Sequence, residues 1–356
     1  MVSFRRDMAA YEKWLRQRCD VVARDLEAKH KLMHKSAFKF LRATYFRWAR
    51  TIEEVCPELS NAPRVASIGD IHVENFGTWR DADSRLVWGI NDFDDAAVMP
   101  YAYDLVRLVT SVLLAPGHGF TAARASTAVL DGYAAGLSNP GATLLDENAG
   151  WLRSFANPSE EENREFWNDV DALPDVDPPA PIRRALRKSL PDGAGELRFA
   201  SRTAGGGSLG RPRFVVVARW NSGRVVREAK AFVPSAWEWA HQKVSRRTWF
   251  IDLAYGSFRS PDPVLHVADG FVFRRIAPDA RKIEIKDVQA HRLTTRLLVA
   301  MGADLAAVHA SDPRSTRVAR DLDARGTTWL RRAAAAAQQA TLRDFEGYAK
   351  RTRPAT

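Results

Sequence analysis

The spacing of the hydrophobic residues changes twice along the chain, and this change constrains the fold more than any other feature. Residues 4–55 carry apolar side chains at roughly helical intervals, and the segment from Leu293 to Val308 shows the same spacing. Between them, residues 196–285 contain β-rich runs separated by turns rich in glycine, asparagine and aspartate, and "VLHVADGFVFRRIAP" predicts a hairpin that turns at Asp269-Gly270. The order predicts an α+β fold in which a β-rich segment is bounded by helical segments on both sides.

The first half of the chain contains further predicted elements. The stretch "FGTWRDADSRLVWGIND" predicts a hairpin with a polar turn at Arg80–Ser84. The stretches "YAYDLVRLVTSVLLA" and "TAARASTAVLDGYAAGL", separated by "PGHG", predict two buried or amphipathic helices. Residues 156–195 are rich in proline and acids, so we interpret them as a linker or surface excursion with one short helix at Ile182–Ser189.

The composition is that of a globular protein with a packed core. Hydrophobic residues make up 46% and charged residues 27%, and 11 Trp and 17 Phe argue against disorder. No apolar run approaches the length of a membrane span, and the first residues show no secretory signal, so we expect no membrane partner. Two cysteines are too few for a disulfide framework or an all-thiolate zinc site, which favours a cytoplasmic location.

The chain is basic, with a formal net charge of +10. Such a charge attracts nucleic acid, an anionic surface or a phosphorylated ligand. Much of the excess is arginine scattered along helix-like stretches, and no compact basic run is interleaved with aromatic residues. We therefore do not expect nucleic acid as a partner. Nucleic-acid binding stays an alternative, and an affinity that falls steeply with salt concentration would favour it.

Carboxylates and amides crowd two neighbouring stretches, "IGDIHVENFG" and "INDFDDA". A hairpin between them brings Asn75 and Asp92 towards one site, and this pair of hard oxygen donors suits Mg²⁺, which takes its other ligands from water and phosphate. Asp70 is then free to accept a proton from an attacking hydroxyl. Asp94 either adds a metal ligand or holds the loop.

A structural interpretation of the same residues is also open, because Asp and Asn are common in turns for their own backbone hydrogen bonds. The full set at this spacing favours function. His72 either orients the turn or is a partly buried structural histidine. Glu74 is expected to be a solvated turn residue.

A glycine-rich loop, "GGGSLG", lies between two strand-like runs. Glycines let backbone N–H groups approach a phosphate without obstruction, and strand, glycine loop, strand is the arrangement of protein kinases rather than of dinucleotide-binding domains. Lys230 on the next strand strengthens this interpretation as a phosphate contact, although a glycine-rich hairpin or a strand lysine alone is often only structural. The candidate nucleotide-binding residues of the loop are Gly205, Gly207, Ser208 and Gly210.

A lysine in this role needs a carboxylate that orients it. Glu238, on a predicted helix after the strand, is the preferred candidate, and Glu228 on the strand itself is the other. Arg42 and Arg275 are possible phosphate or substrate contacts, although solvated or ion-paired arginines are the more common explanation.

These motifs resemble the kinase-like superfamily, in particular its aminoglycoside phosphotransferase and choline kinase branch. That branch carries H-G-D-x-H-x-x-N, then I-D-F/W-x-x-A, then a helix with a buried Asp, and "IGDIHVENFG", "INDFDDA" and "YAYDLVRL" follow in the same order, with Ile68 in place of the first His. The resemblance implies Asp70 as catalytic base, Asn75 and Asp92 as metal ligands, and Asp104 as a structural acid under the catalytic turn.

The chain resembles still more closely an uncharacterised bacterial family within that superfamily, a domain of unknown function. The segments "KSAFKFLRATYF", "GDIHVENFG", "NDFD", "GGGSLG" and "QQATLRDFEGYAK" carry this resemblance over nearly the whole chain. In ordinary kinases the glycine loop and lysine precede the catalytic Asp, whereas here they follow it. The resemblance therefore implies a circular permutation, in which "RLLVAMGADLAAVHASD" corresponds to the helix that normally runs into the catalytic turn.

The resulting prediction is a two-lobed, circularly permuted kinase-like fold. Residues 196–285 form a small β-rich nucleotide-binding lobe, and residues 1–195 and 286–356 form the larger helical lobe. The expected activity is transfer of phosphate from ATP, with Mg²⁺, to a hydroxyl of an unknown small molecule or protein. A nucleotide-binding pseudokinase that acts as an interaction module, and a nucleotidyl transferase on the same fold, are the alternatives.

Overall fold

The structure, a computed structural model, describes residues 3–243, 245, 247–282 and 293–350. It has an α+β fold, as predicted. The helices in these ranges are α1 Phe4–Arg16, α2 Ala23–Met33, α3 Ala37–Ala43, α4 Tyr45–Val55, α5 Tyr101–Leu114, α6 Ala122–Ser138, α7 Arg153–Ala156, α8 Glu160–Asp171, α9 Ala180–Lys188, α10 Ala236–Ala240, α11 Trp249–Ala254, α12 Thr295–Ala310, α13 Val318–Ala324 and α14 Trp329–Lys350.

Among the described residues, three small sheets accompany the helices: a β1–β4 pair, a β2–β3–β5 sheet and a five-stranded antiparallel sheet in the order β6-β7-β8-β10-β9. The predicted hairpins are present, β2–β3 around Arg80–Ser84 and β9–β10 around Asp269-Gly270. The strands are β1 Arg64–Ser67, β2 Phe76–Arg80, β3 Leu86–Ile90, β4 Ala97–Pro100, β5 Thr143–Leu144, β6 Gly195–Ser201, β7 Arg213–Trp220, β8 Gly223–Ala231, β9 His266–Ala268 and β10 Phe271–Ile276.

One face of the five-stranded sheet changes from apolar to charged along β8. Side chains alternate between faces, so Val226, Glu228 and Lys230 lie on the same face. The register places Arg274 opposite Glu228, and Arg213 opposite Lys230. The charged end of this face, at Lys230, therefore lies at the C-terminal end of β8, next to the site described below.

Two helices cover the sheet, one on each face, and one of them differs from the sequence-based expectation. Residues 156–195 are not a linker with a single short helix, because they also contain α8, which begins at a capping box between Ser159 and Glu162. Helix α8 packs Val170 on the face that carries Val226, and α9 packs Leu186 on the other face. The lobe boundary predicted between residues 195 and 196 therefore assigns α8 and α9 to a different lobe from the sheet that they cover.

The main core joins the two ends of the chain. Helices α3 to α6 share one hydrophobic cluster with α12 and α14, from the C-terminal part. Helix α12 lies very close to α6, because Gly132 and Gly302 have no side chain: a Cβ at Gly132 would overlap the carbonyl oxygen of Val299. The predicted boundary between residues 285 and 286 lies outside the described residues.

In the described ranges, no helix combines the length and hydrophobicity needed to cross a membrane. Both cysteines, Cys19 and Cys56, are free.

Candidate functional site

The turn that carries Asp70 is braced from beneath by a buried carboxylate. Asp104, on α5, accepts the backbone N–H of Ile68 at 2.7 Å and that of Gly69 at 3.0 Å. His309 on α12 lies 3.1 Å from the same carboxylate through Nε2 and 2.7 Å from the Tyr133 hydroxyl through Nδ1. Gly69 has φ +76°, so the turn needs a glycine at this position. Backbone and side chains together fix the direction in which Asp70 leaves the strand.

Asp70 itself contacts one buried guanidinium. Arg107, fully buried, donates Nη2 to Oδ1 of Asp70 and also to the carbonyl oxygen of Leu41 at 3.0 Å. Burial raises the pKa of Asp70 to about 7, against the opposing charge of Arg107 and with a further contribution from Asp95. A carboxyl with this pKa exchanges its proton near neutral pH, as a general base does.

The β2–β3 hairpin brings the two predicted metal ligands to the same end. The register pairs Phe76 with Ile90, and the ladder continues with a 3.0 Å hydrogen bond from Asn91 N to the carbonyl oxygen of Asn75. The Asn75 side chain donates Nδ2 to the Asp70 carbonyl oxygen at 2.8 Å, so its amide oxygen is the end available to a cation. Asp92 follows directly after the hairpin.

Asp92 lies between two lysines from distant parts of the chain. Its Oδ1 is 3.7 Å from Lys230 Nζ, and its Oδ2 is 3.2 Å from Lys282 Nζ. Burial opposes ionisation, but these two ammonium groups, helped by Arg274, hold the pKa of Asp92 well below its usual range. Asp92 is therefore a carboxylate at neutral pH, which is the form that binds a metal ion.

Asp94 takes the orienting position that the sequence analysis gave to a glutamate. Lys230 Nζ lies 2.6 Å from Asp94 Oδ1, and Arg211 Nη1 lies 3.1 Å from Asp94 Oδ2. Within the described residues, the carboxylates at ion-pair distance from Lys230 are Asp92 and Asp94. Glu238 lies on the short helix α10 and is partly buried, and the structure does not bring it to Lys230.

Glu228, the other candidate, holds arginines rather than Lys230. It is fully buried and accepts from Arg202 at 2.8 Å, from Arg213 at 2.9 Å and from Arg274 at 2.7 Å. Although burial opposes its charge, the guanidinium groups hold the pKa of Glu228 well below its usual range. This cluster fixes the arginines beside Lys230 on the charged end of the sheet.

The glycine-rich loop packs directly on Asp70. Gly205 and Gly210 have φ +85° and +96°, and Ser208 Oγ accepts from Arg213 Nη2 at 2.6 Å. A Cβ added to Gly207 would lie 3.1 Å from Asp70 Oδ2 and 2.9 Å from the carbonyl oxygen of Arg42. A residue with a side chain would therefore not fit at Gly207 without displacement of the loop.

The segment at the start of α2 holds this loop at three points. Val22 N donates to the Gly210 carbonyl oxygen at 2.9 Å. Asp25 accepts the Thr203 hydroxyl at 2.8 Å, and Lys29 Nζ donates to the Gly207 carbonyl oxygen at 2.8 Å. The N-terminal helices thus fix the position of a loop that lies almost two hundred residues later.

The remaining candidates take mostly structural positions. Arg42 donates to Glu74, which is buried and not a solvated turn residue, and lies 3.4 Å from His72 Nε2. Burial and the charge of Arg42 hold the pKa of His72 well below its usual range, so the ring is neutral. Arg275 pairs with Asp262 at 3.4 Å and lies on the opposite face of the sheet from Lys230, so it is not a contact at this site.

Several basic residues at the site were missed by the sequence analysis. Each is a single lysine or arginine in a stretch that holds other charged residues, and such a residue is usually solvated. Whether its side chain is buried or half-buried is a tertiary property, so no local signal would have found these residues. They are Lys29, Arg107, Arg211, Arg213, Arg274 and Lys282.

The donor set suits Mg²⁺ better than a metal held by protein alone. Across the described part of the chain, no group of three or more His, Cys, Asp or Glu side chains is arranged to hold a metal ion. Asn75 and Asp92 supply one amide oxygen and one ionised carboxylate. Mg²⁺ is commonly held by one or two protein oxygens together with water and substrate phosphates, so these two residues fit it.

The first part of this arrangement lies in a segment that is similar to a protein family. Residues 20–138 match the family described as "Uncharacterized protein conserved in bacteria (DUF2252)". The match spans α2 to α6 and includes Asp70, Asn75, Asp92 and Asp94, whereas the glycine-rich loop and Lys230 lie beyond it. Neither a curated protein nor a solved structure matches the chain.

Proposed function

We propose that the protein is a Mg²⁺-dependent phosphotransferase that transfers the γ-phosphoryl group of ATP to a hydroxyl of a small molecule or protein. One observation carries the proposal: Lys230 Nζ lies 3.7 Å from Asp92 Oδ1, although 137 residues separate the two in the chain. The glycine-rich loop packs on Asp70 in the same region. A phosphotransferase needs these three parts, a phosphate-binding loop and lysine, a metal ligand and a base, in one place.

We further propose that the fold is a circularly permuted, two-lobed kinase-like fold. The five-stranded sheet with α8 and α9 corresponds to the lobe that covers the nucleotide. The larger lobe is assembled from helices of both chain ends, which share one core. The order of the motifs, with Asp70 and Asp92 before the glycine-rich loop and Lys230, supports the permutation.

The residues of the chain divide the chemistry between them. Lys230 and the backbone N–H groups of the loop bind phosphate oxygens, and Asn75 with Asp92 holds Mg²⁺, which neutralises charge on those oxygens when bound. Asp70 accepts the proton of the acceptor hydroxyl. A bond forms from the acceptor oxygen to the γ-phosphorus while the bond from phosphorus to the bridging oxygen breaks, and ADP leaves with the electron pair.

Product analysis separates this proposal from its alternatives. The purified protein is incubated with Mg²⁺ and ATP, with a mixture of candidate hydroxyl compounds, and the nucleotide products are measured. ADP supports phosphoryl transfer, whereas AMP or pyrophosphate indicates nucleotidyl transfer. ATP binding without turnover indicates a pseudokinase, and absence of any ATP binding contradicts the proposal.

The assay has a matched pair of variants. Asp70→Asn removes the base and is expected to lower ADP formation by about 100-fold or more, within the range of general-base effects. Asp83→Asn changes an exposed carboxylate in the hairpin turn, 80% exposed, and is expected to leave the rate unchanged. Equal rates for both variants would contradict the role of Asp70.

A further inference from the structure

Lys29 is a nearly buried ammonium group that lacks a carboxylate partner among the described residues. Its residue is 5% exposed, and Nζ donates to the carbonyl oxygen of Gly207 at 2.8 Å. Lys230, at a comparable depth, has both Asp92 and Asp94 at ion-pair distance. The two lysines therefore differ: Lys230 pairs directly with two carboxylates, whereas Lys29 contacts a neutral carbonyl oxygen.

A buried cation whose hydrogen-bond partner is a neutral group is energetically unfavourable. Burial and the neighbouring Arg211 lower the pKa of Lys29 to about 8, and the charges of Glu12, Asp70 and Asp95 oppose this only in part. With this pKa, Lys29 is protonated in most molecules at neutral pH. A ligand that carries negative charge would supply the missing compensation.

The position of Lys29 indicates which part of a ligand it meets. The Gly207 carbonyl oxygen contacts Lys29 Nζ, and the Cα side of the same residue packs on the carboxylate of Asp70. Lys29 and Asp70 thus approach one loop residue from two sides. Phosphoryl transfer takes place beside the catalytic base, Asp70. An anion bound by Lys29 therefore lies at the phosphate end of a nucleotide and not at its adenine or ribose.

We propose that Lys29 binds the terminal phosphate of the nucleotide, and that its ammonium group exchanges the Gly207 carbonyl oxygen for a phosphate oxygen when the loop moves. This inference rests on the proposed function, because it takes ATP as the ligand. It adds a phosphate-binding residue from the N-terminal helices, outside the glycine-rich loop and its strand lysine. The exchange also releases one of the three contacts that hold the loop against the α2 segment.

The test is a calorimetric comparison of adenosine, Mg-ADP and Mg-ATP on the full chain. Lys29→Met removes the charge, Lys29→Gln removes the charge but keeps a hydrogen-bond donor for Gly207, and Lys29→Arg keeps the charge. Lys31→Met, exposed on the same helix, is the matched control. Both neutral variants are expected to bind Mg-ATP about tenfold more weakly or worse, the effect of losing a charged hydrogen bond. Adenosine affinity is expected to stay within about twofold.

Each outcome has a defined meaning. If the wild type binds none of the three ligands, the proposed function fails. If the wild type prefers Mg-ATP to adenosine and the neutral variants keep the full preference, the assignment of Lys29 alone is overturned. An equal loss for adenosine and Mg-ATP would show a purely structural role and overturn it as well. The assignment is also overturned if neither neutral variant folds, because Lys29 is then required for folding.

Discussion

Substitution of Gly207 by alanine tests the packing of the glycine-rich loop on Asp70. A Cβ at this position would lie 2.9 Å from the carbonyl oxygen of Arg42 and 3.1 Å from Asp70 Oδ2. The first contact is with backbone and cannot be relieved by a rotamer change, so the loop must shift. Overpacking of this kind typically destabilises a protein by about 1–3 kcal/mol.

Gly206→Ala is the matched control in the same loop. The nearest atoms to a Cβ there lie 3.7–3.8 Å away, in ordinary contact, and neither glycine has a positive φ. The control is therefore expected to be neutral or to stabilise by about 0.4–1 kcal/mol, because alanine reduces the freedom of the unfolded chain. The two variants should differ in free energy of unfolding by about 2 kcal/mol.

Chemical denaturation with two independent probes measures this difference, with unchanged slope as a check that the same transition is observed. Gly207→Ala is expected to be the less stable variant by the stated margin. Equal stabilities would contradict the packing of the glycine-rich loop on Asp70 and on the backbone of Arg42.

Two further predictions concern the charges around the site. Glu228→Gln leaves three buried or half-buried arginines without their carboxylate and is expected to destabilise the protein by about 3–5 kcal/mol. The control is Glu196→Gln, at a side chain that is 80% exposed, and it is expected to change the stability by less than about 0.5 kcal/mol. Equal effects of the two substitutions in chemical denaturation would contradict the buried cluster around Glu228. The pKa of Asp70, raised to about 7, leaves the base mostly protonated below neutral pH. We therefore expect kcat/KM for ATP consumption to rise about tenfold from pH 6 to pH 8, and a flat profile measured at constant ionic strength would exclude Asp70 as the base.

Local patterns in the sequence predicted those parts of the fold that local interactions determine. The hairpin at Arg80–Ser84 and the turn at Asp269-Gly270 follow from alternating hydrophobicity and turn residues, and both are present. Helix α8 was missed although Ser159 and Glu162 form a capping box, because the acidic and proline-rich composition outweighed that signal. The apolar side chains of α8 become informative only once the sheet they cover is known.

The candidate site shows the same division between local and tertiary information. The turns around Asp70 and Asp92 were predicted from their residue types and spacing. The partner of Lys230 was not: Glu238 was preferred, whereas the structure places Asp94 there, from a segment that precedes the lysine by 136 residues. Such a pairing depends on how strand β8 packs against the segment that carries Asp94. The spacing of hydrophobic residues in the sequence gives no information about that contact.

The most direct measurement of the central claim is calorimetric titration of Mg-ATP into the wild type, Lys230→Met and Asp92→Asn. Lys188→Met, exposed on α9, is the control for a lost surface charge. We predict that the wild type and the control bind Mg-ATP, and that both site variants bind it about tenfold more weakly or worse. Absence of binding by the wild type, or equal affinity in all four proteins, would contradict it.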